Sequence, residues 1–191
     1  MTSARTGSLI PINALSLFIA LGIATACSPG FGQSAGDALP RPKALQVAPG
    51  MSEEEANEVL LPALRYFAFW NTGEEKFADE ALSPDFTDLN LPKGRPQGPT
   101  GPVAASKGFR KAVTDLQASA EAVWVNGDSV IARLHFTGHF TGTYGELKGR
   151  GQPIAFYAVD MYTVRDGKIV ANWHLEDNLT FMQQLGAIPA Q

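Results

Sequence analysis

Hydrophobic side chains in the first half of the chain recur with the period of an α-helix. Between Val59 and Ala68 the apolar positions fall three and four residues apart, which predicts a helix with one buried face. Ser52 and Glu55 precede this run at the spacing of a capping box, a typical helix start. Pro62 inside the run is expected to kink the helix or to split it in two. Two further helices are predicted, over residues 74–82 and 103–116.

The second half of the chain changes to a period of two residues, which is the pattern of half-buried β-strands. Turn signals at Asn126–Asp128 and Asp166–Gly167 predict tight hairpins between successive strands. The predicted strands cover residues 86–91, 118–125, 129–144, 154–165 and 168–175, and a short amphipathic helix follows at 178–185. Helices followed by an antiparallel meander indicate the α+β class.

One predicted strand carries an acidic residue on its apolar face. Alternation places Asp160 on the same side as Ile154, Phe156, Tyr162 and Val164. If that side is interior, burial raises the pKa of the Asp160 carboxyl, and a carboxyl that titrates nearer neutrality suits general acid–base catalysis. A structural aspartate bonded to the backbone or to an arginine, or one that faces solvent, is the alternative.

Two histidines and several aromatic residues are further candidates for a site. His139 lies between glycines in the run GHFTG, and glycines inside a strand often mark a bend or a place where a ligand approaches. His174 and Trp173 point to opposite faces of the last strand, and the sequence does not decide which face is interior. Trp173 is expected in the core. Tyr66 and Trp70 belong to an aromatic-rich helix end from which one or two side chains could line a cavity.

Composition and charge exclude some classes of protein. The net charge is −4 and no stripe of lysine and arginine is present, which argues against nucleic-acid binding. The three histidines are too scattered to predict a metal site from spacing. A single cysteine, Cys27, rules out a disulfide within one chain, so a hydrophobic core has to hold the fold together.

The N-terminal residues have the features of an export signal. An apolar run from Leu9 to Ile23 is short for a membrane span and ends in the small residues that precede Cys27. Ala24 and Ala26 suit cleavage by ordinary signal peptidase, whereas the same residues and Cys27 resemble a bacterial lipoprotein signal. We therefore expect a signal peptide at 1–26, a flexible Gly/Pro-rich linker at 27–50 and one domain at 51–191. The protein is expected to be periplasmic or a membrane-anchored lipoprotein lipidated on Cys27.

The run VRDGKIVANWHLEDNLTFMQQLG is similar to the end of the SnoaL-like polyketide cyclases, also called ester cyclases. The segments RYFAFWNTG, SPDFTDLNLP and GHFTGTYG match other landmarks of that family in the same order, so the resemblance covers about residues 60–186. It implies a cone-shaped fold like nuclear transport factor 2, in which a curved antiparallel sheet packs on about three N-terminal helices and a short C-terminal helix follows. It also implies a homodimer formed through the outer sheet face.

The resemblance further implies ring closure by acid–base catalysis without a metal or cofactor. Asp160 is then the acid–base residue, and His139 is its partner in the pocket. Two departures stand against the full transfer of this chemistry: Leu89 replaces a histidine found in many members, and the loop at 145–153 differs from the usual form. The residues expected to bind a substrate are Trp70, Tyr66, Phe86, Asp88, Phe156, Tyr162, Trp173 and His174.

Three functions remain open at this point. The first is an enzyme acting on a small apolar molecule with a carbonyl or ester group. The second is a non-catalytic module that binds a ligand or a protein at the bacterial envelope. The third is an epoxide hydrolase, which needs two acids bridged by an arginine around a water; Asp160 and Arg133 are present, and Asp88 is a guess for the second acid.

The lipoprotein interpretation predicts that the Cys27 thiol is acylated. In cells fed labelled palmitate, the wild-type protein is expected to take up label, whereas Cys27→Ser takes up none, because serine offers no thiolate to the acyl donor. The neighbouring change Ser28→Ala is the control and retains the label. An unlabelled wild-type protein released by cleavage after Ala26 would contradict acylation and indicate soluble export.

Overall fold

The computed structural model describes residues 39–189. The expected signal peptide, Cys27 and the first part of the expected linker lie outside the described residues. Within 39–189 no helix is both long enough and apolar enough to cross a bilayer.

Helices and strands follow one another in the order expected for an α+β fold, which confirms that class. The helices are α1 (Glu53–Thr72), α2 (Glu75–Ala81), α3 (Thr100–Ala112) and α4 (Asn178–Leu185). The strands are β1 (Leu45–Val47), β2 (Leu82–Asp88), β3 (Gln117–Asn126), β4 (Ser129–Phe140), β5 (Thr143–Tyr144), β6 (Leu147–Lys148), β7 (Gln152–Arg165) and β8 (Lys168–Glu176).

Six of these strands form one curved sheet in the order β1-β3-β4-β7-β8-β2. Strands β3, β4, β7 and β8 pair antiparallel, and the two predicted turns join β3 to β4 and β7 to β8. Strands β1 and β2 add parallel edges. Strands β5 and β6 form a separate hairpin. The long pairing of β4 with β7 fixes which side chains of the central strands face inward.

Helix α1 packs its aromatic face on the inner side of the sheet. The Ser52 hydroxyl accepts a hydrogen bond from the Glu55 backbone N–H, and the Glu55 carboxylate accepts one from the Ser52 backbone N–H, so the predicted capping box is confirmed. Gly73 ends the helix with φ of 79°, a left-handed conformation that suits glycine. The helix continues as one element past the buried Pro62, so the alternative of two separate helices is wrong.

Three sequence boundaries differ from the structure. The linker expected over 27–50 overlaps strand β1, whose residues pair with β3. The strand expected at 86–91 lies earlier, at Leu82–Asp88, because its backbone pairs with β8. Helix α3 begins and ends a few residues before the expected 103–116. In each case the pairing or packing partner lies far away in sequence, where a local pattern carries no information.

The long strand expected over 129–144 stops at Phe140. Gly142 approaches the Lys111 backbone so closely that a Cβ would collide with the Lys111 carbonyl oxygen. The Gly142 amide donates instead to the Ala112 carbonyl at 2.9 Å. Gly142, the second glycine of GHFTG, therefore serves a close contact between backbones. Strand β5 starts directly after it.

Trp173 lies on the outer face of the sheet and not in the core. The β7–β8 register pairs Asp160 with His174 and Met161 with Trp173, so the two residues of each strand point to opposite sides. Asp160 and His174 are buried, whereas Trp173 keeps 38 % of its surface exposed. The expectation for Trp173 is wrong because the register of β8 on β7, and not the hydrophobicity of the side chain, decides which face of β8 is inside.

Candidate active site

A cavity of about 380 Å³ opens between α1, α3, α4 and the inner face of the sheet. Its lining is mostly aromatic and aliphatic, with polar side chains concentrated on the sheet side. The lining residues are Tyr66, Trp70, Phe86, Asp88, Pro92, Arg95, Pro102, Ala104, Ala105, Gly108, Phe109, Phe136, Tyr144, Phe156, Ala158, Asp160, Asn172, His174, Glu176, Asn178 and Phe181. A few polar groups set in an apolar lining are typical of a small-molecule site.

Aromatic rings from four different elements form the apolar side of the cavity. Phe136 and Phe156 stack across β4 and β7 with ring centroids 5.3 Å apart. Phe181 of α4 lies 5.0 Å from Phe156, and Phe109 of α3 lies 4.9 Å from Phe181. Because these rings hold one another in place, the apolar surface is present before any ligand arrives.

The opposite side of the cavity is a polar wall made of Asp88, Asp160, Asn172, His174 and Glu176. Asp88 ends β2, Asp160 belongs to β7, and the other three alternate along β8 between them. Alternation explains the grouping, because residues 172, 174 and 176 share one face of a strand. The register then brings Asp88 beside Asn172 and Asp160 beside His174.

Asp160 is a buried carboxyl with one strong hydrogen bond. Only 6 % of its surface is exposed, and the Tyr162 hydroxyl donates to Asp160 Oδ2 at 2.5 Å. Burial raises the pKa of Asp160 to about 6, although the Tyr162 hydrogen bond and the nearby His174 charge act in the opposite direction. A carboxyl with this pKa can both accept and return a proton near neutral pH.

His174 is held between two carboxylates. Its Nδ1 lies 2.8 Å from Glu176 Oε1, and its Nε2 lies 3.1 Å from both oxygens of Asp88. Burial lowers the pKa of His174, but the hydrogen bonds to Glu176 and Asp88 and the charges of Glu176 and Asp160 outweigh it and raise the pKa to about 9. Since both ring nitrogens face carboxylate oxygens, the ring is an imidazolium at neutral pH.

The loop after β2 brings a second cation to the cavity. Arg95 Nη1 lies 3.8 Å from Asp88 Oδ2, which is a long ion pair. The loop itself is fixed, because Asn90 donates to the His174 carbonyl at 2.7 Å and the Gln97 amide bonds to both backbone groups of Asp88. Arg95 therefore lines the cavity from a positioned loop, with most of its donors available to a ligand.

Seven of the residues predicted for the site come together around the cavity. They are Tyr66, Trp70, Phe86, Asp88, Phe156, Asp160 and His174. Tyr162 lies directly behind them and contacts the cavity only through its hydrogen bond to Asp160.

His139 and Trp173 do not belong to this group. The His139 side chain is 56 % exposed, and its Nδ1 pairs with Asp115 Oδ2 at 2.7 Å outside the cavity. On β4 it shares the outer face with His135, which stacks on Tyr157 at 4.5 Å. The family-derived role of His139 thus conflicts with the alternation of its own strand, and His174 supplies the histidine of the cavity.

Four polar residues of the cavity were not predicted for the site: Asn172, Glu176, Arg95 and Asn178. Asn172 and Glu176 could have been found, because they share a strand face with His174, but nothing in the sequence marked that face as interior. Arg95 belongs to a proline- and glycine-rich loop whose path has no local signature. Its place depends on hydrogen bonds to β2 and β8.

Among the described residues, no cluster of His, Cys, Asp and Glu side chains is arranged to hold a metal ion. The polar wall satisfies its charges internally, through the contacts of His174 with Asp88 and Glu176.

The fold and the cavity define a class: an α+β cone whose sheet presents a buried carboxyl to an apolar pocket. The model of the family SnoaL-like polyketide cyclase matches residues 61–185. This chain belongs to that family. No curated protein matches it.

Solved structures agree with this assignment. The crystal structure of a "Putative polyketide cyclase" from Bacillus cereus ATCC 10987 is 44 % identical, with a TM-score of 0.71 over 80 % of this chain and 96 % of that one. TsrD from Streptomyces laurentii is 25 % identical, with a TM-score of 0.63 over 72 % and 99 % of the two chains. A "Putative SnoaL-like polyketide cyclase" from Jannaschia sp. CCS1 shares the fold, with 21 % identity and a TM-score of 0.62 over 73 % and 99 %.

The raised pKa of His174 predicts a loss of stability at alkaline pH. The folded protein holds this proton up to about pH 9, whereas the unfolded chain releases it near 6.5. The contribution is therefore complete below pH 6.5 and is lost as pH rises through 9, by about 3 kcal/mol at most. In His174→Gln, the free energy of unfolding measured with urea is expected to fall less steeply between pH 6.5 and 9 than in wild type.

The control for this measurement is His135→Gln, the same change on the outer face. Its free energy of unfolding should depend on pH as that of wild type does. An equal slope in wild type and His174→Gln would mean that the imidazolium is not held by its two carboxylates.

Proposed function

We propose that this protein is a cofactor-free acid–base enzyme that acts on a small apolar molecule carrying a carbonyl or ester group. The observation that carries the proposal is Asp160: a carboxyl buried in an apolar cavity, with its pKa raised to about 6. Membership of the SnoaL-like polyketide cyclase family supports chemistry of the cyclase or isomerase type.

In the proposed reaction, ionised Asp160 removes a proton from the carbon next to the substrate carbonyl. The C–H electron pair moves into the carbonyl group and forms an enolate, and Asp160 becomes neutral. For ring closure, the enolate carbon attacks a second carbonyl of the same molecule, and Asp160 returns the proton to the new alkoxide. For isomerisation, Asp160 returns the proton to a different carbon of the same molecule.

The two cations of the cavity have different parts in this scheme. His174 is engaged at both nitrogens by Glu176 and Asp88, so it stabilises negative charge through its field and not by donating a proton. Arg95 has only a long contact with Asp88 and keeps donors for the developing oxyanion. Arg95 therefore takes the place that family resemblance had given to His139.

The epoxide hydrolase arrangement expected from Arg133 is not formed. Arg133 is exposed on the outer face, where its guanidinium lies 5.9 Å from the Tyr157 ring centroid. Asp160 lies on the inner face, so the two side chains cannot share a water. A binding module without chemistry is the other reading of the cavity, and it is an outcome of the test below.

The change Asp160→Asn tests the proposal. Turnover is expected to fall by about 10²- to 10⁴-fold, because the amide cannot take a proton. Stability at pH 7.5 should stay equal or rise, by up to about 3 kcal/mol, since an ionised carboxyl is no longer buried. Wild-type turnover should increase as pH rises through about 6, where Asp160 ionises.

The assay incubates a metabolite extract with each purified variant and follows it by mass spectrometry. A compound consumed at unchanged mass indicates ring closure or isomerisation, and one added water indicates hydrolysis. Asp115→Asn, an exposed aspartate outside the cavity, is the matched control and should retain full activity. Identical extracts with wild type and Asp160→Asn would favour the binding module.

We also propose a homodimer that buries the outer apolar face, defined by Val159, Met161, Trp173 and Leu175. These side chains are all at least 36 % exposed and pair directly across β7 and β8. An exposed apolar patch of this kind on one sheet face is typical of an interface. Attachment of the protein to a membrane through Cys27, and its export, are proposals that the palmitate experiment tests.

The change Met161→Arg is expected to convert the dimer to a monomer, because it places a charge at the centre of the outer apolar face. Light scattering after gel filtration measures the mass. Leu61→Arg introduces the same charge on an exposed position of α1 and should leave the dimer intact. A wild-type protein that is monomeric at micromolar concentration would rule out this interface.

A further inference from the structure

Asn172 has a buried acceptor that no other residue satisfies. Only 3 % of the residue is exposed, yet its Oδ1 has no hydrogen-bond partner within the described chain. Buried polar groups are normally paired, because an unpaired acceptor loses its water without replacement. Among the buried side chains of the polar wall, Asn172 is thus distinguished by an unused acceptor inside the cavity.

The position of Asn172 is fixed on both sides. Its backbone carbonyl accepts from Leu89 N at 2.8 Å, and its Cα is paired with Asp88 on β2 and with Tyr162 on β7. The amide also helps to lower the pKa of Asp160, as an N–H donor to that carboxyl does. With its N–H side directed to Asp160, the amide leaves Oδ1 as the side-chain atom that has no hydrogen-bond partner.

The polar neighbours of Asn172 on the inner sheet face, His174 and Tyr162, already use their donors elsewhere. The His174 ring gives its two N–H groups to Glu176 and Asp88. The Tyr162 hydroxyl donates to Asp160. No described residue donates to Asn172 Oδ1, which leaves the occupant of the cavity as a source of the donor.

We propose that Asn172 is a specificity-determining residue whose side-chain oxygen accepts a hydrogen bond from an O–H group of the substrate. The substrate class is then an apolar molecule that carries a hydroxyl or enol group close to the carbon that Asp160 deprotonates. This inference rests on the proposed function for its catalytic meaning, but the binding it describes can be measured without turnover. A site built to pair with a hydroxyl discriminates against an analogue that lacks one.

The test compares two ring probes that differ in the donor alone, 1-naphthol and 1-fluoronaphthalene. Titration calorimetry gives the ratio of their dissociation constants for wild type and for Asn172→Leu, which removes the acceptor at similar volume. The preference of wild type for 1-naphthol is expected to fall about fivefold to tenfold in Asn172→Leu, the range of one hydrogen bond. Comparing ratios cancels the different hydration of the two probes.

Asn178→Leu is the matched control, because Asn178 lines the same cavity from α4 and loses the same group. It should keep the wild-type ratio. A ratio unchanged in Asn172→Leu, or lowered equally in Asn178→Leu, would overturn the proposal. A wild-type protein that binds neither probe would also overturn the proposal. If Asn172→Leu fails to fold, Asn172→Ala serves the same comparison.

Asp160→Asn separates this inference from the proposed function. It should preserve the preference for 1-naphthol, since Asn172 Oδ1 remains in place. Loss of the preference in Asp160→Asn with retention in Asn172→Leu would assign the hydroxyl to Asp160 and refute the role of Asn172. An Asp160→Asn protein with unchanged turnover and a retained preference would refute the catalytic proposal alone.

Discussion

The pairing of β7 with β8 is the constraint on which the site depends. Because strands alternate, this one register decides that Asp160 and His174 face the cavity while Met161 and Trp173 face outward. A slip of β8 by one residue along β7 would bring Trp173 to the cavity face and turn His174 outward. The tight turn at Asp166–Gly167 fixes the register between β7 and β8. The pairing of β7 with β4 on its other edge fixes which face of β7 points inward. Chemistry and the proposed dimer interface are therefore opposite faces of the same hairpin.

Local patterns predicted the elements well where the information is local. The capping box at Ser52 and the two hairpin turns depend on contacts between near neighbours, and the structure confirms them. Asp160 was found for the same reason, since an acid among alternating apolar residues stands out in a single strand. The α+β class also follows from the order of the elements, whereas the family follows from the resemblance of ordered segments such as VRDGKIVANWHLEDNLTFMQQLG.

The remaining site residues depend on distant partners. His174 becomes a cavity residue only when Asp88, 86 positions earlier, meets its Nε2. Arg95 is placed by a loop that bonds to two strands, and no sequence spacing encodes that path. His139 was misassigned because a role taken from relatives was given more weight than the face on which its strand places it. Alternation within one strand was the better guide there, and sheet register supplied what alternation lacked.

The charges of the cavity explain how the buried Asp160 could serve as the proposed base. His174 and Arg95 carry positive charge, Asp88 and Glu176 carry negative charge, and the four balance before Asp160 ionises. An ionised Asp160 is then the excess charge, and burial raises its pKa because the carboxylate loses its solvation by water. In the proposed reaction, transfer of a proton from a substrate carbon to Asp160 leaves the total charge of the cavity unchanged and moves the negative charge onto the substrate oxygen. Arg95 is the cation with unused donors to meet that oxygen, so its position at the cavity favours the enolate.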